Sequence, residues 1–262
     1  MTQYNYKPLI ILLFYLITPV LHASDLAKEK RWADQIVEAL ITGDAEWLPV
    51  GDLKVLSIYT PSETEPARGA TIILHGIGVH PDWPDVIHPL RTRLPESGWA
   101  TLSVQMPILP NEASGIDYLP LLPEVPPRID AAINFLKAQD INNIVIIAHS
   151  LGTVMTSYYL SKQPTSKVRA FVGISMSEMN KDSQMSNVAM LKTITIPVLD
   201  IYGSQDEAQV LDYIQQRQQS ATSANNQAYR QIEIKDANHF YNNKDDELLQ
   251  VIQSWLTSYA IK

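Results

Sequence analysis

Three short runs of unbroken apolar residues constrain this chain most: Thr71-Ile-Ile-Leu74, Ile144-Val-Ile-Ile-Ala148 and Phe171-Val-Gly-Ile174. A strand with one wet face alternates apolar and polar side chains. A strand that does not alternate is covered on both faces, as inside a parallel sheet flanked by helices. Further strand candidates are Leu53 to Tyr59, Ala100 to Gln105, Ile196 to Tyr202 and Tyr229 to Ile234. Helical spacing is readable at Arg128 to Gln139, Leu151 to Gln163, Glu207 to Gln219 and Asp245 to Tyr259, and in an opening segment, Asp25 to Ile41, with Trp32, Ile36, Val37, Leu40 and Ile41 in register. Strands alternating with helices predict an α/β fold with a mostly parallel central sheet and helices on both faces. The stretches Pro107 to Pro127 and Ser175 to Met190 follow neither period and are expected as surface loops or lid-like segments. About 20 residues separate the strands ending near Ile174 and starting near Ile196, against roughly 50 or more for a separate domain, so no large cap domain is expected.

The first 23 residues carry one lysine and no acid, then an apolar run from Leu9 to Leu21 and the small residues Ala23 and Ser24. That run is about 13 residues, short of the roughly 20 needed to cross a bilayer, so it reads as a secretory signal peptide cleaved after Ala23. Residues 24–262 then form one mature domain with no stable membrane span, directed to a bacterial periplasm or the medium. The formal net charge of −8 becomes −9 once Lys7 is lost, which disfavours nucleic acid and other polyanionic partners. With no cysteine anywhere, disulfides, thiolate metal sites and a cysteine nucleophile are excluded.

The chemistry concentrates in Ile144-Val-Ile-Ile-Ala-His-Ser-Leu-Gly152, a buried strand running through Ser150 into an amphipathic helix. This is a nucleophile elbow in outline: the sharp turn exposes the serine, small residues at Ala148 and Gly152 avoid collision, and the helix N-terminus below offers free N–H groups to an oxyanion. A serine hydroxyl needs a base and a carboxylate to orient that base. Asp206 follows the strand Ile196 to Tyr202, where open α/β sheets place ligand-binding groups. It could also cap the next helix, with Glu207 as the backup acid and Asp200, inside the strand, as structural. His239 follows the last strand and is the one histidine after both Ser150 and Asp206, giving the chain order serine, acid, histidine. His149 adjoins Ser150 and is expected to point away from it. The turn His75-Gly-Ile-Gly78 places a main-chain N–H, at Ile77, as a second oxyanion donor beside that of Leu151. His75, His80, Asp82, Asp85 and His88 cluster in sequence, yet their spacing matches no helical ligand pair and prolines interrupt it, so no metal is expected.

Together these residues resemble the α/β-hydrolase superfamily of serine hydrolases from about Lys54 to Tyr259: His75-Gly-Ile-Gly78 as the oxyanion turn, Ala148-His-Ser-Leu-Gly152 as the elbow, Gly203-Ser-Gln-Asp206 as the acid loop and Ala237-Asn-His239 as the base loop. Within it, Leu74-His-Gly-Ile-Gly-Val-His-Pro-Asp-Trp-Pro84 is similar to a group of exported, largely uncharacterised bacterial hydrolase-like proteins. The departure is Ala148, where glycine is usual. The resemblance implies acyl transfer to water through an acyl-enzyme on Ser150, with His239 as base, Asp206 as its orienting acid and no cofactor. A small-molecule or lipid-like ester is the expected substrate, with Trp83, Tyr118 and Met176 lining its pocket. Two alternatives remain open: an amidase or peptidase with the same residues, and a binding or assembly protein that kept the fold without turnover.

Overall fold

The computed structural model describes residues 24–162, 167–179 and 182–259; the expected signal peptide lies outside them. After α1 (Leu26–Ala39), a hairpin of β1 (Asp44–Val50) and β2 (Leu53–Thr60) leads to β3 (Gly69–Leu74), α2 (Ile87–Arg93), β4 (Trp99–Val104) and α3 (Val125–Ala138). Then follow β5 (Ile144–His149), α4 (Leu151–Ser161), β6 (Ala170–Ile174), α5 (Asn187–Met190), β7 (Val198–Gln205), α6 (Ala208–Leu211), α7 (Ile214–Ser223), β8 (Tyr229–Asn238) and α8 (Asp245–Tyr259). The eight strands form one sheet in the order β1-β2-β4-β3-β5-β6-β7-β8. β1 and β2, and β2 and β4, are antiparallel, and every other neighbouring pair is parallel.

The unbroken apolar strands are central. β3, β5 and β6 are buried along their whole length, because alternate side chains feed two separate cores. Ile72, Leu74, Ile146 and Ala148 pack with α3 and α4 on one face, while Ile73, Val145, Ile147 and Val172 pack with α2 and α8, including Trp255 and Leu256, on the other. Leu56 and Ile58 of β2 receive Ala33 and Ile36 of α1. This is the expected architecture of helices on both faces.

Four local expectations are corrected. β1 was not expected: Glu46, Pro49 and partly exposed Trp47 break its apolar pattern, and it is an edge strand paired only through β2. The apolar stripe of α1 is narrower than its spacing suggested, with Val37 at 42% and Ile41 at 97% exposed. Residues 207–219 are not one helix; a break separates α6 from α7. Pro107 to Pro127 is not a surface loop. Residues Gly115–Glu124 form a 3-10 helix whose Tyr118, Leu121 and Leu122 are buried. Positions three apart eclipse in such a helix and present one face to the core, and Ser114 caps it, its N–H and hydroxyl both donating to Asp117. Between β6 and β7 the described residues hold two 3-10 turns and the single-turn α5, not a cap domain.

Candidate active site

Ser150 occupies the junction of β5 and α4 with φ +54° and ψ −124°, a left-handed conformation that costs free energy in any residue but glycine and persists only where its surroundings impose it. They do so here. The Ser150 N–H donates to the Ile174 carbonyl of β6 at 3.0 Å, and the Thr153 hydroxyl donates to the Ser150 carbonyl at 2.6 Å. Gly152 has no alternative: a Cβ there would lie 2.6 Å from the His75 carbonyl oxygen and 2.7 Å from that of Leu74. The methyl of Ala148, at the position where glycine was expected, is accommodated beside Gly173, its partner on β6.

The carboxyl ends of β5, β7 and β8 bring three distant side chains together. The Ser150 hydroxyl lies 3.0 Å from His239 Nε2, and His239 Nδ1 lies 2.7 Å from Asp206 Oδ1. All three residues are less than a tenth exposed. Burial alone raises the Asp206 carboxyl, but hydrogen bonds from His239 and Ser175, the nearby imidazole and the Glu207 N–H outweigh it and hold the group below the usual carboxylate range. The other reading that the position of Asp206 allowed, as the cap of the following helix, does not hold, since Glu207 is the N-cap residue of α6. Glu207 itself borders the cavity at Ser150.

Two contributors were not visible in sequence. Ser175, immediately after β6 and itself at φ +52°, donates its hydroxyl to Asp206 Oδ2. The signal was topological: β6 lies between β5 and β7, so the first residue beyond it falls between Ser150 and Asp206. The other is His149, which borders the same cavity and whose Nε2 lies 2.9 Å from the His239 backbone carbonyl. Burial, with the neighbouring His239, pushes the His149 imidazole down to about 4, so it stays neutral and fastens the His239 loop to β5.

A cavity of about 270 Å³ opens at Ser150, bordered by Gly76, Ile77, Val79, Trp83, Met179, Glu207 and Phe240 among others. Among the described residues no lysine or arginine borders it. Ile77 belongs to the turn after β3. Leu151 opens α4, so its N–H is among the first-turn groups that lack an intrahelical acceptor. Gly76 lets that turn approach, since a Cβ would stand 3.0 Å from the Ser150 Cβ. Trp83 lines the cavity as expected from sequence. Tyr118 and Met176 do not: both are in the core, where the Tyr118 hydroxyl accepts the Leu109 N–H and Met176 fills the space over Gly173. Their places at the cavity are taken by Met179 and Phe240.

His75 is a turn-stabilising residue. Its Nδ1 lies 3.0 Å from the Gly76 carbonyl and its Nε2 accepts the Met106 N–H at 2.9 Å, while burial pushes its pKa down to about 3. His80 stacks edge-on with Trp32 and Trp83, and His88 and Arg91 share Asp82. Among the described residues no group of three or more such side chains is arranged to hold a metal ion, and no helix is long and apolar enough to cross a membrane.

A hydroxyl hydrogen-bonded to an imidazole, with a carboxylate on the other ring nitrogen, is an arrangement that can activate a nucleophile. Comparison with solved structures points the same way at the level of fold. Est1E from Butyrivibrio proteoclasticus superposes with a TM-score of 0.63 at 16% identity, over 84% of this chain and 100% of that one. A dienelactone hydrolase from Anabaena variabilis gives 0.64 at 19% identity over 84% and 98%, and the esterase Pf2001 from Pyrococcus furiosus 0.68 at 14% over 86% and 95%. No curated protein matches the sequence. The family model of DUF3530, a protein family of unknown function, matches residues 18–116 and 121–258. The chain is therefore a member of the DUF3530 family with the α/β-hydrolase fold.

Proposed function

We propose that the protein is an exported serine hydrolase, a carboxylesterase-like acyl hydrolase working in the periplasm or the medium after loss of residues 1–23. The observation that carries this reading is the continuous chain from the Ser150 hydroxyl through His239 to Asp206, with links of 3.0 and 2.7 Å, ending at a cavity. His239 Nε2 takes the proton as Ser150 Oγ attacks the ester carbonyl. Asp206 fixes the imidazole with Nδ1 protonated and stabilises the imidazolium, and the N–H groups of Ile77 and Leu151 receive the oxyanion. As the intermediate collapses, His239 returns the proton to the departing alcohol. Water, activated by His239, then releases the acid from Ser150. None of these steps calls for a cofactor.

The cavity walls support a substrate class. The described walls combine apolar residues with Glu207 and Gln209 beside Ser150 and His239, and the Glu207 carboxylate favours an uncharged small or medium ester over one carrying a carboxylate. Steady-state hydrolysis of p-nitrophenyl esters of increasing acyl length, beside a hemisuccinate and an anilide, tests this reading. Turnover of neutral esters that is lost in Ser150→Ala and His239→Ala is the expected result. Hydrolysis surviving in Ser150→Ala overturns the assignment of the nucleophile. Faster cleavage of the anilide replaces the esterase by an amidase.

A further inference from the structure

Ser24, the first described residue, is 6% exposed and held by its own main chain as well as its side chain. Its nitrogen lies 3.0 Å from Glu124 Oε1 and its hydroxyl 2.8 Å from Glu124 Oε2, so the two ends of one carboxylate grip one residue. Arg128 Nη2 reaches the same hydroxyl at 3.3 Å and Glu124 at 3.4 Å. The Arg128 guanidinium is otherwise committed to Glu29, with two contacts of 3.0 Å, and to the Gln105 carbonyl. The chain beyond is tied down too, as Asp25 N–H donates to the Ile108 carbonyl at 2.7 Å and Lys28 Nζ to the Leu109 carbonyl at 2.9 Å.

The charges of this cluster do not balance. Glu29 and Glu124 are two acids against the single guanidinium of Arg128, and Lys28 turns instead toward Leu109 and Asn111. Burial, with Glu124 contributing, raises the Glu29 carboxyl even against the opposing pull of Arg128. A poorly solvated cluster one positive charge short is costly, and a cation placed at its open corner relieves it. The group at that corner is the Ser24 nitrogen. As an amide it brings one N–H and no charge; as a free chain terminus it brings a positive charge and three donors.

We propose that Glu124 is the receptor for the amino terminus created by cleavage between Ala23 and Ser24, so that removal of the leader supplies the missing cation and locks α1 onto the 107–124 segment and α3. This rests on the processing site read from sequence and is independent of the hydrolase assignment. The lock reaches the site indirectly. Gly115, in the 3-10 helix that ends at Glu124, borders the cavity at Ser150. An ammonium just before the N-cap of a helix is disfavoured by the helix dipole, which is a further reason that carboxylates are required there.

The groups facing the new terminus are Glu124 from the 3-10 helix and Arg128 from α3, with Glu29 of α1 on the far side of Arg128, while Asp25, Lys28, Arg31 and Glu112 form a neighbouring charged set. An α-amino group titrates near 7.7–8.0 when free. Capture by Glu124 raises that value in the folded state, so its stabilisation is complete below pH about 7.7 and is lost as pH climbs through the raised value.

Two chains test the proposal, one starting at Ser24 and one at His22, each with Glu124 intact and as Glu124→Gln. The chain starting at Ser24 is expected to melt about 2–6 °C above the His22 chain at pH 7. That gap should close in the Glu124→Gln pair and shrink as pH rises above 8. Equal melting temperatures, or a gap that persists without Glu124, overturns it. Amino-terminal sequencing of the chain exported from the full 262-residue precursor reads the processing step separately: a start at Ser24 supports the lock, and a start at any other residue overturns it whatever the melting data show.

Discussion

Strand β7 delivers two buried carboxylates, Asp200 from its interior and Asp206 from just past its end, and the networks they enter differ in kind. Asp200 receives Arg217 Nε at 2.7 Å, the Tyr229 hydroxyl at 2.6 Å and Gln231 Nε2 at 2.9 Å. Arg217 Nη2 also reaches Asp200 Oδ1 at 3.4 Å, and its Nη1 donates to the Met176 and Val210 carbonyls. Both ionic side chains are fully buried, the guanidinium does not titrate in the accessible range, and burial, reinforced by the Asp200 charge, pushes the Tyr229 phenol upward. That network is closed and holds α7 and the segment after β6 against the sheet. Asp206 is paired with an imidazole, which can gain and lose a proton, and the chain through it ends on a hydroxyl at a cavity. The partner and the open end, not the carboxylate, distinguish structure from chemistry.

Breaking each network should therefore damage a different property. The largest effect is expected at the open end. Ser150→Ala should cost at least about 10⁴-fold in kcat/KM, and Asp206→Asn about 10³- to 10⁴-fold, both with melting temperatures near that of the parent in calorimetry. Next comes the closed network, where Arg217→Met strands Asp200 and should remove about 3–5 kcal/mol of stability in urea titrations, leaving kcat of the folded fraction within a few-fold. Parent-like stability in Arg217→Met would erase the distinction.

A third effect concerns the two neutral histidines near the site. Both pKa values are lowered, His75 to about 3 and His149 to about 4, so between those values and 6.5 the unfolded chain binds more protons than the folded one. Stability should accordingly fall as pH drops below 6.5, by about 1–3 kcal/mol for each histidine by pH 4, and His75→Gln should flatten the dependence of melting temperature on pH. The smallest effect is expected at Ser175, which touches the reaction only through Asp206. Ser175→Ala should lower kcat by less than about tenfold, with KM unchanged and the acid limb of the kcat/KM profile displaced.

The ease of reading these regions from sequence follows the range of the interactions that build them. Ser150 is legible because strand, turn and helix are contiguous and sterically restrictive: the end of β3 crowds the turn and leaves no room for a side chain at Gly152. Asp206 and His239 are legible by order, each following a β-rich run. Tyr118 was misplaced because six prolines between 107 and 127 suppress the α-helical period, while a 3-10 helix repeats every three residues and buries Tyr118 and Leu121 together. Arg217, Ser175 and Glu124 carry no local pattern. Their partners are supplied by sheet order, which no spacing along the chain expresses.

The central claim is that the Ser150 hydroxyl is activated by His239 and Asp206, and the most direct measurement is covalent labelling of the mature protein with a fluorophosphonate, with the modified peptide located by mass spectrometry. The account predicts stoichiometric labelling confined to Ser150, at least about 100-fold slower in His239→Ala. Folded protein that leaves Ser150 unlabelled, or labels it equally fast without His239, would contradict it.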